Sequence, residues 1–147
     1  MQSMTQTREE LTLRLWIQVV RLANGLQKDV DSKLRKTHGQ SLSRFDVLSQ
    51  LHRADRHEMS IGQLSASLLT PTNNITRLLD RMERDGLLTR RLSEHDRRSF
   101  TVSATREGMK LFSAMAEDNR RWINSAFSSL PGDSLKVLSQ TLSELEP

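Results

Sequence analysis

The chain has 147 residues, of which 35% are apolar and only 4% aromatic, enough for one modest core that a second copy of the chain would help to complete. Its 22 Lys and Arg outweigh 18 Asp and Glu by +4, which favours a polyanionic partner without naming one. Cysteine is absent, so disulfides, thiolate nucleophiles, thiolate metal sites and cysteine-based oxidant sensing are excluded.

Residues 1–10 are polar, with no signal-peptide core, and no later apolar run approaches a membrane span; a cytoplasmic chain without a membrane partner is expected. Leu11, Leu15, Val19, Leu22, Leu26, Val30 and Leu34 then recur every three or four residues and predict a helix over about 7–36, widened near its start by Trp16 and Val20. A helix this long in so small a chain usually spans two subdomains or packs against another subunit, and Gly25 is its weak point. Thr37, His38 and Gly39 end it. Ser41 or Ser43 caps a second helix with Phe45, Val47, Leu48 and Leu51 inward, and polar residues 53–58 read as a loop. Ser60 caps a short third helix that turns Ile61, Leu64 and Leu68 inward, with Leu69 a further inward candidate.

At Leu69-Thr70-Pro71 the pattern breaks and restarts. Thr70 is the expected N-cap of the next helix and Pro71 its first residue, where a missing N–H costs nothing. Ile75, Leu78, Leu79 and Met82 form its buried stripe, and Gly86 fits the left-handed stop. Two short helices joined by a very tight turn make a helix-turn-helix. Residues 87–92 and 99–103 read as two strands around a polar loop, with Phe100 and Val102 on one face, so a hairpin wing follows directly. Thr105 opens another helix carrying Met109, Phe112, Met115, Trp122, Ile123 and Phe127. Pro131-Gly132 separates it from a last one with Leu135, Leu138, Leu142 and Leu145. The expected fold is mainly α with a small β-hairpin wing. A winged helix-turn-helix domain occupies 42–104, and both chain ends, 7–37 and 105–146, form a helical dimerisation region.

The helix opened at Pro71 carries Thr72, Asn73, Asn74, Thr76, Arg77 and Arg81 opposite its buried stripe. Asn can pair with adenine in the major groove, Arg can take both guanine acceptors, and Thr can offer a hydroxyl or a methyl. These six are the candidate major-groove contacts. From residue 70 through 98 there are seven arginines against five acids, a net of only +2, so charge there must act by placement. In the wing, Arg90, Arg91, Arg97 and Arg98 crowd one hairpin, and a wing-tip arginine can enter a narrow minor groove. Asp96 would be wasted on DNA; its sensible task is to pair with an arginine such as Arg98 and aim it. Arg97 and Arg98, with Asp96 orienting Arg98, are the candidate wing contacts. Trp16 and Phe45 are candidate walls of an effector cleft between head and dimer helices.

The run Asn74-Ile75-Thr76-Arg77-Leu78-Leu79-Asp80-Arg81-Met82-Glu83-Arg84-Asp85-Gly86-Leu87-Leu88-Thr89-Arg90-Arg91 resembles the recognition helix and first wing strand of the MarR (multiple antibiotic resistance regulator) family. Asp96-Arg97-Arg98 and Val102-Ser103-Ala104-Thr105-Arg106-Glu107-Gly108 are similar to its wing signature, which is highly specific in this order. Good matches run from about residue 42 to 112, and the helical ends fit the family layout without specific motifs. Ala104 departs from the leucine usual before the threonine, thinning the packing under the wing without touching the reader.

The resemblance implies a triangular homodimer whose first, fifth and sixth helices form the dimer region, with two winged heads on a pseudo-palindromic operator. It implies that Asp96 orients Arg98 into the minor groove. It further implies repression of a nearby operon and release by a small effector, often phenolic or anionic, bound between head and dimer helices. Double-stranded DNA, a second copy of the chain and such an effector are therefore the expected partners. No cofactor or metal is expected, and an enzyme is not. His38, His52, His57 and His95 sit in or beside polar connectors without metal-ligand spacing, and there is no glycine-rich phosphate loop. The rival reading is a winged helix serving structure or protein contacts without specific DNA readout, which would want an acidic or apolar outer face on the reading helix.

Overall fold

The structure, a computed structural model, describes residues 6–94 and 99–146. Thr7 starts α1 (Arg8–His38) with a reciprocal cap: its hydroxyl accepts from the Glu10 N–H at 3.2 Å, and its own N–H donates to the Glu10 carboxylate at 2.9 Å. The helix runs 31 residues to Gly39, which takes the left-handed conformation at φ 67°. Ser41 caps α2 (Leu42–Arg53), and one 3₁₀ turn, Asp55–His57, leads into the short strand β1 (Glu58–Ser60). The remaining described elements are α3 (Ile61–Ser67), α4 (Ile75–Arg84), β2 (Leu88–Leu92), β3 (Phe100–Ala104), α5 (Arg106–Ala126) and α6 (Gly132–Ser143).

The sheet has three antiparallel strands in the order β1-β3-β2, one more than the expected hairpin. The additional strand, β1, falls where a loop is expected. Its three residues are too few to show alternation, and it exists because β3 offers a second edge, pairing Met59 with Val102. Glu58 fastens the three strands together: its carboxylate takes the Ser103 hydroxyl on β3 at 3.2 Å and the Arg91 guanidinium on β2 at 2.9 Å. At the far end of the hairpin, Leu92 and Phe100 pair across the strands and are both exposed, so Phe100 does not join Val102 in the core.

Leu48, Leu51, Leu64, Leu79, Met82, Leu88 and Val102 meet as a fully buried core beneath the sheet, reached from the other side by Leu34 of α1 and Met115 of α5. α4 ends with a double hydrogen bond in which Leu87 N–H donates to the Met82 carbonyl and Gly86 N–H to the Glu83 carbonyl, with Gly86 at φ 76°. Thr105 then caps α5 and donates its hydroxyl to the Gly86 carbonyl, locking that helix to the end of α4. His38 closes the other flank, 2.7 Å from Asp118 on α5. That bond, against a smaller opposing effect of burial and with help from Arg121, holds the Asp118 carboxyl below its usual range.

Only Val30 and Leu34 of α1 are buried, and no residue of α6 is. Leu11, Leu15, Trp16, Val19 and Leu22 on the first half of α1, and Leu138, Leu142 and Leu145 at the end of the chain, are all exposed. The long stripe read from the sequence is therefore split in two. Its last third packs on the head, whereas its first two thirds stay largely exposed among the described residues, with Leu15, Trp16 and Val19 lining a shallow groove with Leu142 and Leu145.

Candidate nucleic-acid interface

α4 starts at Ile75, four residues later than Thr70 and Pro71 suggest, so seven residues and not a tight turn join it to α3. The reason lies on another helix. Asp46, buried on α2, accepts both the Thr70 N–H at 2.7 Å and the Thr70 hydroxyl at 2.8 Å, so that hydroxyl points away from any cap. The cap falls instead to Asn74, whose Oδ1 accepts from the Arg77 N–H at 3.1 Å. Thr72 supports it from two residues back, its hydroxyl accepting from the Asn74 N–H at 3.3 Å. Leu69, a candidate inward residue, is 73% exposed for the same reason: Thr70 is held down and its neighbour is turned out.

Thr72 and Asn73 thus precede the helix, Asn74 caps it, and Thr76, Arg77 and Arg81 lie on it. All but half-buried Thr72 are exposed. Asn74 holds its Oδ1 in the cap, whereas Asn73 is exposed and makes no side-chain hydrogen bond among the described residues, which suits it to adenine. Replacing Asn74 by Ala is expected to cost about 1 kcal/mol of stability, measured by urea unfolding, while Asn74→Asp restores most of it.

Three acids of this region, Asp80, Glu83 and Asp85, are paired. Arg90 on β2 reaches back to Asp80 at 2.5 Å and Glu83 at 3.2 Å, and Glu83 also accepts the Arg90 N–H at 2.8 Å. Arg44 on α2 takes Asp85 at 2.7 Å. Arg77, Arg81 and Arg84 make no ion pair among the described residues, so the small net charge is sorted into a neutral inner side and a basic outer face. Arg90 and Arg91, counted with the wing arginines, are structural: one braces α4, the other holds Glu58. Asp96, Arg97 and Arg98 lie outside the described residues.

Beside α4 opens a polar cleft of about 640 Å³, walled by Arg77 and Arg81 from α4, Arg44 and Ser41 from the start of α2, Arg35 from the end of α1, and Asp85, the partner of Arg44. Arg35 and Arg44 are contributions that sequence reasoning missed. Their only signal was a serine-capped helix start near two basic residues, a weak pattern until the fold sets it against α4.

The expected effector cleft is not formed as predicted. Phe45 lines a cavity of about 200 Å³ between α1, α2, α5 and the residues before α4, its ring stacked on Phe112 at 5.6 Å. Trp16 is near the start of α1, remote from the end that packs on the head, and lies instead against Leu142 and Leu145 of the last helical stretch, 66% exposed. The two aromatics do not share a site, because the stripe that carries Trp16 has already left the head. Among the described residues no group of His, Asp and Glu gathers as a metal site, and no helix is long and apolar enough to cross a membrane.

A model of the MarR family matches residues 38–99, the span that includes the capped α4 and the first wing strand. The transcriptional activatory protein BadR of Rhodopseudomonas palustris is 31% identical over 135 residues, covering 90% of this chain and 75% of BadR. A MarR family transcriptional regulator from Silicibacter pomeroyi has the same fold at a TM-score of 0.82 and 25% identity, over 96% of both chains. Sco3205 of Streptomyces coelicolor, a MarR family regulator solved in complex with DNA, matches at a TM-score of 0.81 and 19% identity, over 98% of this chain and 89% of that one. These relatives are named transcriptional regulators, and the present chain carries a winged sheet, an Asn-capped basic helix and long flanking helices. The chain belongs to the MarR family of transcriptional regulators.

Proposed function

We propose that the protein is a homodimeric, sequence-specific repressor that binds a pseudo-palindromic double-stranded operator and lets go when a small aromatic or anionic effector binds between the head and the dimer helices. The observation that carries the reading is the outer face of α4. Thr76, Arg77, Arg81 and Arg84 stand exposed while Asp80, Glu83 and Asp85 are drawn away by Arg90 and Arg44. Such a face offers guanine-reading and phosphate-binding groups, with the neighbouring carboxylates each paired to an arginine. A winged helix used for protein contacts alone would want an acidic or apolar face there. Arg97 and Arg98, with Asp96 orienting Arg98, would extend the contact into the minor groove, and exposed Arg35 would meet the backbone.

Two chains are needed for two half-sites. The exposed leucines on the first half of α1 and on α6 form an apolar surface of the kind a subunit interface buries, which supports residues 7–37 and 105–146 as the dimerisation region around a reading domain at 42–104. Leu15 and Leu142 face the same groove. Leu15→Asp with Leu142→Asp is expected to shift the sedimenting species from two chains to one of 16.9 kDa. A wild-type chain that sediments as a monomer at micromolar concentration would contradict the dimer.

The cavity beside Phe45 touches both the long helices and the residues that lead into α4, a place from which an occupant can favour one head position over another. It acts only through a difference in affinity between the two arrangements. Repression requires the operator to overlap a promoter, and the site of action is the cytoplasm, where that DNA lies. The test is selection of duplexes from a random pool, followed by titration of the enriched duplex against a scrambled one. Enrichment of one motif with at least about a thousandfold preference supports sequence-specific reading. Equal binding to both duplexes would overturn it.

A further inference from the structure

The walls of the 200 Å³ cavity are mostly apolar, with Leu26, Val30, Phe45 and Ile123 prominent, and its size suits one small ring; an apolar cavity of about 150 Å³ holds benzene. Its charge is unusual for a site whose effector is expected to be often phenolic or anionic. No lysine, arginine or histidine lines it, and Asp46 is the one charged lining residue among those described.

Asp46 is 4% exposed. Its Oδ2 is fully engaged by Thr70, at 2.7 Å from the N–H and 2.8 Å from the hydroxyl. Among the described residues its Oδ1 has only the Gln50 amide at 3.4 Å, a long contact that leaves acceptor capacity unused. A carboxylate ligand brought here would face a like charge in a poorly solvated pocket with no cation to offset it. A donor, and above all an ammonium, would gain a charge-assisted hydrogen bond.

We propose that this cavity selects a small aromatic amine, anchored on Asp46 Oδ1, and turns aromatic carboxylates away. The proposal rests on the reading above that the cavity is the effector site, and it adds the chemical class of the occupant and the route of its effect. The same carboxylate holds Thr70, four residues before the Asn74 cap of α4. An occupant that draws on Asp46 therefore pulls on the connector leading into the reading helix.

The experiment is direct calorimetric or NMR titration of the full chain, without DNA, with benzylamine, benzyl alcohol and benzoate, in the wild type and in Asp46→Asn. The asparagine keeps an acceptor for Thr70 and removes the charge. Benzylamine is expected to bind the wild type about tenfold or more tightly than benzoate, with benzyl alcohol between them. In Asp46→Asn that ratio should fall to within about threefold, mainly through weaker binding of the amine. Tighter binding of benzoate to the wild type overturns the proposal and leaves the effector reading standing. An unchanged ratio in the variant removes Asp46 as the anchor and overturns it too. Binding of none of the three overturns both the proposal and the effector reading, while the DNA titration remains independent of either. The wild-type ratio decides the matter even if the variant folds poorly.

Discussion

Gly108→Ala is expected to cost about 3 kcal/mol of stability and to lower the melting temperature by roughly 10 °C, the largest effect of any single added methyl group at a glycine of this chain. Gly108 lies in the first turn of α5, where the helix crosses the start of β2. A Cβ there would stand 2.1 Å from the Leu87 carbonyl oxygen and 3.0 Å from its carbon, with the Leu48 side chain also in contact at 3.4 Å. The obstacle is backbone, so no rotamer change relieves it. That carbonyl is also fixed, because it accepts the Thr105 N–H at 3.1 Å. To admit the methyl, α5 must lift off the joint where α4, β2 and α5 meet, and the Leu48 layer of the core opens with it. Thermal unfolding followed by circular dichroism checks this. A variant that melts within about 2 °C of the wild type would show the contact to be looser than described. Gly25, whose Cβ would meet nothing within 4 Å, is the control: Gly25→Ala is expected to leave stability unchanged or slightly raised.

Removing the reader has its effect on DNA and not on stability. Arg77→Ala combined with Arg98→Ala is expected to weaken binding to the selected duplex by about a hundredfold or more, since each base-reading arginine carries about one to three kcal/mol of discrimination. Arg77 is exposed and unpaired on the outer face of α4; only its backbone N–H, bonded to Asn74, serves the fold, and alanine keeps that. Melting temperature and dimer mass should therefore not change. Arg90→Ala makes a useful contrast. It strips Asp80 and Glu83 of their partner, exposes two carboxylates beside the DNA face, and loosens β2 from α4, so it should reduce stability and affinity together. Unchanged specific binding in the Arg77/Arg98 variant would move the reading function away from α4 and the wing.

Much of the fold is legible in the residues. The serine at 60, the threonine at 105 and the glycine at 86 each announce a helix end by local chemistry, and each ends a helix where expected. Those signals act within three or four residues, which is why a linear reading finds them. Thr70-Pro71 is the instructive failure. The local rule favours a cap, but an acid 24 residues earlier claims the hydroxyl, and the burial that makes Asp46 hold it so firmly is a tertiary property. β1 escapes for a similar reason, since three residues carry no period and the strand depends on an edge made by β3. The periodicity of α1 is real, but it cannot say which part of the stripe faces the head, and so Trp16 is expected beside Phe45 when the fold keeps them apart. The sorting of charge on α4 is invisible too. A count of seven arginines and five acids says nothing of which arginines are spent on which acids.

Reading of one duplex face by two copies of α4 is tested most directly by hydroxyl-radical footprinting of the protein on its selected duplex. Two protected patches are expected on one face of the DNA, related by the dyad of the motif and centred about 34 Å, or one helical turn, apart. A single protected patch, or even protection along the whole duplex, would contradict it.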